Sequence, residues 1–370
     1  MTLIRAQLLP RPVGWLLVAM LVALYIQAWN RTRINVTDFP AFYVSGRLLR
    51  SGGDPYSRSA QCELQARIRS DLCMPNPHAP VLLPLFAVVS SEDFRASYVR
   101  WSVILVLILS ASAWIAYKLS GSVFSAICMV LFQPIFISIT QGNVTPFILL
   151  GVILWVWLLH SREDFWAGLA LSLTVIKPQL ALALAVPMIF VRPRAFWGFC
   201  IGGGAFALMG LALVGIEGYR SLLETISVMM RGQEEATDPA KMFSITGLLT
   251  RTGLGRVWAW PIYAAVVVFI SWLWRKRLNL HTHMLGIVLA VFASPHLFTH
   301  DLSLLAIPLL LVNPLAPIIA SCLILLALAA DIPYAGVYVV MGTLILLYTL
   351  NADRECQTLK RTHSFELTRH

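Results

Sequence analysis

The first residue whose type and setting suit chemistry is Asp38, in the segment Thr37-Asp38-Phe39-Pro40. A carboxylate beside apolar residues can act as a general base that takes a proton from an attacking hydroxyl group. The same segment is also typical of a helix start, because aspartate is favoured just before the first turn and proline within it. From residue types alone, Asp38 is therefore either a catalytic base or a helix N-cap.

The second candidate is a cation, Lys177, which follows an apolar run and precedes Pro178. An ammonium group at the end of a membrane helix is a suitable point-charge partner for a lipid phosphate. A lysine in this position can equally extend its ammonium to the headgroup region without binding a ligand. Both interpretations place Lys177 near a membrane interface.

Two imidazoles and a carboxylate lie close together in the segment Ser294–Asp301. This segment falls between two predicted helices, where such a density of polar groups indicates a functional turn. The structural alternatives are that His296 bonds a backbone carbonyl freed by Pro295 and that Asp301 caps the following helix. Sequence alone leaves both interpretations of the segment open.

A shorter polar segment, Gln141-Gly142-Asn143, contains residue types that are unfavourable in a lipid-facing helix and suit a turn lining a polar cavity. Apolar residues in the segment Asp38–Leu49 recur every three or four positions, which predicts an amphipathic helix along a membrane surface. Tyr43 lies in that helix. We expect Tyr43, Gln141 and Asn143 to line one cavity with the candidates above.

The elements that must position these residues are membrane helices. Of the 370 residues, 58% are hydrophobic and 12% are charged, whereas soluble proteins are about 45–50% apolar and about 25% charged. This composition excludes a soluble globular enzyme and predicts an all-α polytopic membrane protein. Because lysines and arginines lie mostly in short clusters between apolar runs, the net charge of +10 indicates membrane topology rather than nucleic-acid binding.

Continuous apolar stretches predict about twelve transmembrane helices. The stretch Phe165–Phe190 is either one kinked helix or two short ones, and two helices put the short basic clusters on one side, as the positive-inside rule requires. The run Ala79–Val89 is too short to cross and predicts a surface or re-entrant helix. The twelve predicted helices are Val13–Trp29, Tyr98–Tyr117, Val123–Ile139, Pro146–Leu159, Phe165–Ile176, Leu180–Phe190, Phe196–Val214, Val257–Trp274, Met284–Ala293, Leu302–Val312, Leu315–Ala330 and Tyr334–Leu350.

With the two-helix interpretation both termini are cytoplasmic, and the candidate residues share the opposite side of the membrane. We predict a single transmembrane domain over residues 1–350 and a polar cytoplasmic tail over residues 351–370. The first outer loop carries the amphipathic helices, and the stretch from Glu217 to Arg256 is predicted as a second long outer loop. Polar groups at membrane depth are costly, so their convergence on one side indicates a cavity.

Cys62 and Cys73 both lie in the first outer loop. An extracytoplasmic compartment permits a disulfide between them, and two unpaired thiols are the alternative. The sequence contains no CxxC pair and no HExxH motif of the zinc proteases. We therefore expect no dedicated metal site.

Taken in chain order, these motifs resemble glycosyltransferase family 87, which belongs to the GT-C superfamily of membrane glycosyltransferases. The resemblance covers nearly the whole chain. The matching segments are Asp38-Phe39 with Tyr43, Gly53-Asp54-Pro55-Tyr56, Gln141-Gly142-Asn143, Ala167-Gly168 with Ile176-Lys177-Pro178, and Ser294-Pro295 with His300-Asp301.

The resemblance implies a GT-C-like fold and inverting transfer of a sugar, commonly mannose, from a polyprenyl-phosphate donor to an acceptor hydroxyl outside the cytoplasm. By match to the family motifs, Asp38 is the general base, Lys177 a ligand of the donor phosphate and His300 a polar residue at the donor headgroup. Phe298 and Asp301 depart from the usual pattern, so Asp301, like His296, is a further headgroup candidate.

The implied partners are the polyprenyl-phosphate sugar, a glycolipid or glycan acceptor and membrane lipid, with no cofactor and no metal. The implied location is the plasma (inner) membrane. Two other functions remain open from the sequence. A multi-pass transporter also has broken helices and interior polar residues, and a scaffold subunit can keep such a fold without activity.

Overall fold

The computed structural model of the protein describes residues 11–32, 37–69, 73–230, 238–330, 332 and 334–349. The predicted tail over residues 351–370 lies outside these residues. The described part of the chain is all-helical and contains no strand. Its α-helices are α1 (Arg11–Thr32), α2 (Phe39–Arg50), α3 (Arg58–Ile68), α4 (Leu83–Val89), α5 (Phe94–Ser120), α6 (Val123–Val130), α7 (Gln133–Gln141), α8 (Thr145–His160), α9 (Asp164–Leu171), α10 (Pro178–Val191), α11 (Pro193–Met230), α12 (Ile245–Arg251), α13 (Ala259–Lys276), α14 (Leu280–Ala293), α15 (Ala306–Val312), α16 (Ala316–Ala329) and α17 (Tyr334–Thr349).

Three helical segments are long and apolar enough to cross a membrane: Phe94–Ser120, Pro193–Met229 and Arg256–Lys276. The bent pair α6 and α7 makes a fourth if it is counted as one span. The other apolar helical segments of the described residues, Pro12–Gln27 of α1 among them, have 10–17 residues. Large apolar side chains such as Trp197 and Leu208 are exposed on α11, as expected of a helix that faces lipid. The chain thus has the helical architecture of a membrane protein, and the number of twelve spans stays a prediction.

The predicted helix Val123–Ile139 is wrong as a single straight element. It is two helices, α6 and α7, bent by 55° at a short break. Phe132 has an extended backbone, and Pro134 lies in the first turn of α7. Because Pro134 has no N–H to donate to the carbonyl four residues earlier and its ring would clash there, α6 cannot continue through this point and the chain bends. The backbone N–H of Gln133, freed from the helix, donates a 2.9 Å hydrogen bond to the Ser321 hydroxyl.

The ambiguous stretch Phe165–Phe190 consists of two helical segments. Helix α9 continues through a 3-10 turn over Ser172–Ile176, and α10 begins at Pro178. Between them Lys177 has φ −126° and ψ 86°, outside the helical region. The residue before a proline is disfavoured in that region, which gives the break its physical cause. This is the two-helix interpretation of the sequence.

The predicted outer loop from Glu217 is wrong over its first part, because α11 continues to Met230. Gly215 interrupts this helix with a φ of +63°, a conformation that glycine adopts without strain. Beyond it Leu222, Thr225 and Met229 are buried. Their spacing of three and four residues places them on one helix face, which explains why this segment is helical rather than a loop.

Helix α2 differs from the predicted surface helix, because Phe39–Gly46 are all buried. Phe42 stacks on Phe86 of α4 with ring centroids 4.8 Å apart, and Phe39 stacks on Trp101 of α5 at 6.3 Å. The run Ala79–Val89 forms a 3-10 turn and the short helix α4, too short to span, as predicted. The first loop is therefore a packed layer of helices rather than an amphipathic element on a lipid surface.

A glutamine side chain of α3 and a disulfide hold the segment that follows this helix. Cys62 and Cys73 are disulfide-bonded, with Cα atoms 4.5 Å apart. The side-chain amide of Gln65 donates to the Met74 carbonyl at 2.9 Å and its oxygen accepts the Met74 N–H at 2.7 Å. Backbone groups in an irregular segment need such partners when they are buried.

The turn between α7 and α8 docks on the start of α2. Gly142 adopts a φ of +70°, and a Cβ at this position would lie 2.7 Å from the Cβ of Phe39. The Gly142 carbonyl accepts a 2.7 Å hydrogen bond from the indole N–H of Trp101. The N–H of Asp38 donates to the Gln141 carbonyl at 3.2 Å. These contacts fix the position of Asp38 relative to the Gln141–Asn143 turn.

We predict that Gly142→Ala lowers stability in two ways. The left-handed backbone costs an L-residue roughly 1–2 kcal/mol, and the contact with Phe39 adds about 1–3 kcal/mol of overpacking. Gly52→Ala is the matched control, because Gly52 has a φ of +73° with open space around it. Thermal unfolding in detergent should show a larger loss for Gly142→Ala. Equal losses would mean that the Phe39 contact contributes nothing.

Candidate active site

A cavity of about 1120 Å³ collects most of the polar candidates. Its lining comes from the start of α2, the segment after α3, the turn between α7 and α8, the break at Lys177 and the segment after α14. Apolar residues of α10, α11 and α13 line another part of it, and four basic side chains also line it: Arg58, Arg69, Lys241 and Arg256. The lining includes Asp38, Gln141, Asn143, Lys177, His296 and His300.

Asp38 occupies the N-cap position of α2, but its side chain makes no capping hydrogen bond. Instead one carboxylate oxygen, Oδ2, accepts a 2.6 Å hydrogen bond from the amide of Asn143. The other, Oδ1, accepts a 3.2 Å bond from the Thr37 hydroxyl. The side chain retains 16% of its exposure. Asp38 therefore stands at the start of α2 without capping it, and its carboxylate is available to the cavity.

Asn143 is oriented by Thr145, a residue that the sequence analysis did not single out. The oxygen Oδ1 of Asn143 accepts the backbone N–H of Thr145 at 2.9 Å and the Thr145 hydroxyl at 2.6 Å. A backbone N–H can only donate, so the amide NH₂ of Asn143 must be the group that faces Asp38. An asparagine that bonds the backbone two residues later is a known turn signature. The segment Asn143-Val144-Thr145 fits this signature, so the sequence could have indicated the turn.

Lys177 is buried rather than extended to the surface, with 7% of its side chain exposed. Its ammonium contacts the Oδ1 carboxylate oxygen of Asp301 and lies 3.2 Å from Nε2 of His300. An ammonium group has three N–H donors. Two are directed at protein groups, and the third remains for a ligand in the cavity.

The contact with Lys177 also assigns the tautomer of His300. Because the lysine can only donate, Nε2 of His300 accepts and the ring proton lies on Nδ1. That nitrogen is 3.8 Å from Oδ2 of Asp38. The imidazole thus lies between the candidate base and the candidate phosphate ligand, and its N–H is directed towards the base.

Asp301 is fully buried and is not part of the cavity lining. Its Oδ1 accepts from Lys177 and lies 3.2 Å from the hydroxyl oxygen of Thr145, whose proton is donated to Asn143. Its Oδ2 accepts the backbone N–H of Phe298 at 3.1 Å. This placement corrects the expectation that Asp301 binds the headgroup directly, because its carboxylate lies behind the lysine that it holds.

The contacts close a ring in which each group is within 4 Å of the next. Asp38 contacts Asn143, which contacts Thr145, and the Thr145 hydroxyl reaches Asp301. Asp301 contacts Lys177, which contacts His300, and His300 returns to Asp38. In a low-dielectric interior such a network strengthens its own electrostatic interactions.

The remaining candidates divide between the cavity and its surroundings. His296 lines the cavity, and burial lowers its pKa to about 4, so its imidazole is neutral. Tyr43 does not line the cavity, contrary to the sequence prediction. Its hydroxyl donates to the Ser91 carbonyl at 2.8 Å, and its ring packs edge-on against Phe94. These contacts hold Tyr43 against the start of α5 and away from the cavity.

A further imidazole of the cavity, His78, was not assigned from the sequence. It lies in the segment Pro75–Pro80, where the prolines gave the only signal, that of a loop. In the described part of the chain, no group of three or more histidine, cysteine or acidic side chains is arranged to hold a metal ion.

A family model of glycosyltransferase family 87 matches residues 76–295. The chain belongs to glycosyltransferase family 87. No curated protein and no solved structure matches the chain. Family membership makes the protein a glycosyltransferase, which uses a sugar donor and an acceptor, and it argues against the transporter alternative.

The family 87 match contains Asn143, Thr145 and Lys177 of the ring, whereas Asp38 precedes it and both His300 and Asp301 follow it. The structure brings the two groups together through direct contacts. The ring therefore connects the matched range to both flanking parts of the chain.

We predict that Lys177→Met and Asp301→Asn each destabilise the protein by about 3–5 kcal/mol, because each leaves one charge buried without its partner. The double variant should recover part of this loss, since it contains neither charge. The measurement is thermal unfolding of the purified proteins in detergent.

The control for this prediction is Asp164→Asn, which removes an ion pair with Arg192 that is partly exposed, at 34% and 20% of the side chains. A pair of this kind contributes about 0–1 kcal/mol. If the double variant were less stable than the wild type by the sum of the two single losses, Lys177 and Asp301 would not be coupled.

Proposed function

We propose that the protein is an inverting glycosyltransferase that moves a sugar, mannose in the first instance, from a polyprenyl-phosphate donor to an acceptor hydroxyl. The observation that carries this proposal is the juxtaposition of a carboxylate and an ammonium at one cavity, bridged by His300. Asp38 supplies a base for the acceptor, and Lys177 supplies a cation for the donor phosphate. Family membership supports the reaction class.

In this mechanism Asp38 takes the proton of the acceptor hydroxyl as its oxygen attacks the anomeric carbon. The bond between that carbon and the phosphate oxygen breaks, and its electron pair goes to the departing phosphate. Attack opposite to the leaving group inverts the anomeric configuration. Asn143 holds the carboxylate of Asp38 in place through the 2.6 Å hydrogen bond, so the base does not need to reorient.

Lys177 stabilises the negative charge that develops on the phosphate oxygen, using its remaining N–H. Its positive charge is already paired with Asp301, so it acts as a positioned donor rather than as an uncompensated cation. A polyprenyl phosphodiester carries a single charge, which suits this arrangement. Fixed donors of this kind make a metal unnecessary, and we propose that the enzyme uses neither a metal nor a cofactor.

The cavity also has an apolar side that suits the isoprenoid chain. Leu182 of α10 and Trp260 of α13 line it and are each 48% exposed, and Val257 beside them is 73% exposed. Exposed apolar groups that line a cavity typically mark a surface for an apolar ligand. We propose that the lipid enters between α10 and α13, with its phosphate at Lys177.

We further propose that the site faces the extracytoplasmic side of the plasma (inner) membrane, with both termini in the cytoplasm. Support comes from the short basic clusters at Arg162, Arg192 and Arg275, which the positive-inside rule places in the cytoplasm. The Cys62–Cys73 disulfide supports an oxidising compartment on the side of the cavity, which Cys73 lines. The acceptor is a glycolipid or glycan hydroxyl on that side.

We predict that Asp38→Asn lowers kcat for sugar transfer by about 10²–10⁴-fold, the usual contribution of a general base. Asparagine keeps an oxygen for the Asn143 amide, so the loss should fall on the chemical step rather than on folding. The measurement is transfer of radiolabelled mannose from polyprenyl-phosphate-mannose in membranes with endogenous acceptors, at matched expression.

Glu92→Gln is the matched control, because Glu92 is an exposed carboxylate of the same loop whose side chain is 90% exposed. It should transfer sugar at the wild-type rate. Unchanged transfer by Asp38→Asn would remove Asp38 from the mechanism. No transfer by the wild type would refute the proposed donor, and an uninverted product would refute single displacement.

A further inference from the structure

His78 lies on the wall of the cavity beside the first turns of α2. Its ring packs edge-on against Phe42 with centroids 5.3 Å apart, and Phe42 lies one helical turn after Asp38. Side chains four residues apart lie on the same helix face. His78 is therefore on the same side of the cavity as the proposed base.

The ring of His78 is held by a buried asparagine. The oxygen Oδ1 of Asn76 accepts the backbone N–H of His78 at 3.0 Å and lies 3.1 Å from the ring nitrogen Nδ1. An amide oxygen can only accept, so Nδ1 carries the ring proton. This assignment leaves Nε2 with an unprotonated lone pair.

Asn76 itself is fixed by two further buried side chains. Its backbone N–H donates to the Gln61 side-chain oxygen at 2.9 Å, and its amide NH₂ donates to the Ser45 hydroxyl at 3.3 Å. Gln61, Ser45 and Asn76 are each at most 1% exposed. Buried polar groups destabilise a protein when their hydrogen bonds are not made. Here the three side chains bond one another and the backbone. The network orients the imidazole that faces the cavity.

The charge state of His78 agrees with this assignment. Burial lowers its pKa well below the ordinary value, and the charge of Lys177 acts in the same direction. Asp301 opposes this shift, while His300 and His296 add to it. His78 is thus a neutral imidazole at pH 7. One of these four groups, Lys177, is the one that we assign to the donor phosphate.

The lone pair of His78 Nε2 favours a ligand that can donate a hydrogen bond. An ionised phosphate oxygen has no proton to donate, so the lone pair of Nε2 would repel it. A sugar hydroxyl has a proton that it can donate to Nε2. Among the described residues, none of the hydrogen bonds of the structure uses Nε2 of His78. His78 is partly exposed and lines the cavity, and its Nε2 is not enclosed by protein, so this nitrogen is accessible to a ligand there.

We propose that Nε2 of His78 accepts a hydrogen bond from a hydroxyl of the donor sugar, making His78 a specificity-determining residue. The proposal rests on the proposed function, because it takes the sugar to be attached to the phosphate at Lys177. His78 then binds the sugar ring while Lys177 binds the phosphate. The two contacts together fix the anomeric carbon relative to Asp38.

Two substitutions separate the two nitrogens of the ring. His78→Asn keeps an amide near the Nδ1 position, where it can bond Asn76, and removes the acceptor at Nε2. His78→Gln reaches the Nε2 position with an acceptor oxygen. Thermal unfolding of both variants shows whether they fold, and the pair tests the acceptor in a similar side-chain volume.

The first measurement is binding of polyprenyl-phosphate-mannose and of sugar-free polyprenyl phosphate to the purified proteins in detergent. We expect His78→Asn to weaken binding of the mannosyl lipid by about 3–10-fold, the effect of one neutral hydrogen bond. Binding of the sugar-free lipid should not change, and His78→Gln should recover part of the loss. An equal effect of His78→Asn on both lipids would overturn the proposal.

The second measurement uses donors that each lack one hydroxyl of the sugar. Wild-type kcat/KM should fall for one of these deoxy donors, and that donor should show no further loss in His78→Asn. Additive losses at every hydroxyl would overturn the proposal and make His78 structural.

Wild-type binding of both lipids without transfer would refute the proposed reaction alone, and binding of neither lipid would refute the donor class and the role of His78 together.

Discussion

The buried ion pair between Lys177 and Asp301 is the interaction on which the site depends. The two residues are 124 positions apart in the chain, and their side chains are 7% and 1% exposed. A single charge in such a place would be costly, so each residue requires the other. The pair therefore fixes the break before α10 against the segment after α14. Two further contacts of the ring start from that junction: Lys177 with His300, and Asp301 with the Thr145 hydroxyl.

Broken helices make this junction possible. Pro178 ends the helical run at Lys177, Gly142 turns the chain between α7 and α8, and a non-helical segment separates α14 from Thr299. At each break, side chains and backbone groups leave the regular helical pattern and can face a cavity. Irregular backbone at membrane depth is tolerated where it is buried in protein or lines such a cavity. The architecture thus confines its polar chemistry to one place.

The charge balance of the site suggests how it treats its substrates. Asp301 compensates Lys177 from behind, so Lys177 adds little net charge to the cavity, whose other basic lining residues are Arg58, Arg69, Lys241 and Arg256. Neutral imidazoles at His78 and His296 provide polarity without charge. Lys177, His78 and His296 can therefore recognise a ligand through hydrogen-bond geometry. Hydrogen-bonding sites discriminate strongly between ligands that have and lack a given hydroxyl.

The sequence by itself determined the membrane-type helical class, the break at Lys177 and the family, because apolar run length, proline and short motifs are local signals. It also indicated Asp38 and Lys177, whose types are rare among apolar residues. Only the tertiary structure decided that Asp301 lies behind Lys177, that Tyr43 faces α5 and that Thr145 and His78 belong to the site. Those facts depend on contacts between segments far apart in the chain. Local patterns cannot specify which side of a buried helix meets which neighbour, because all of its faces are apolar.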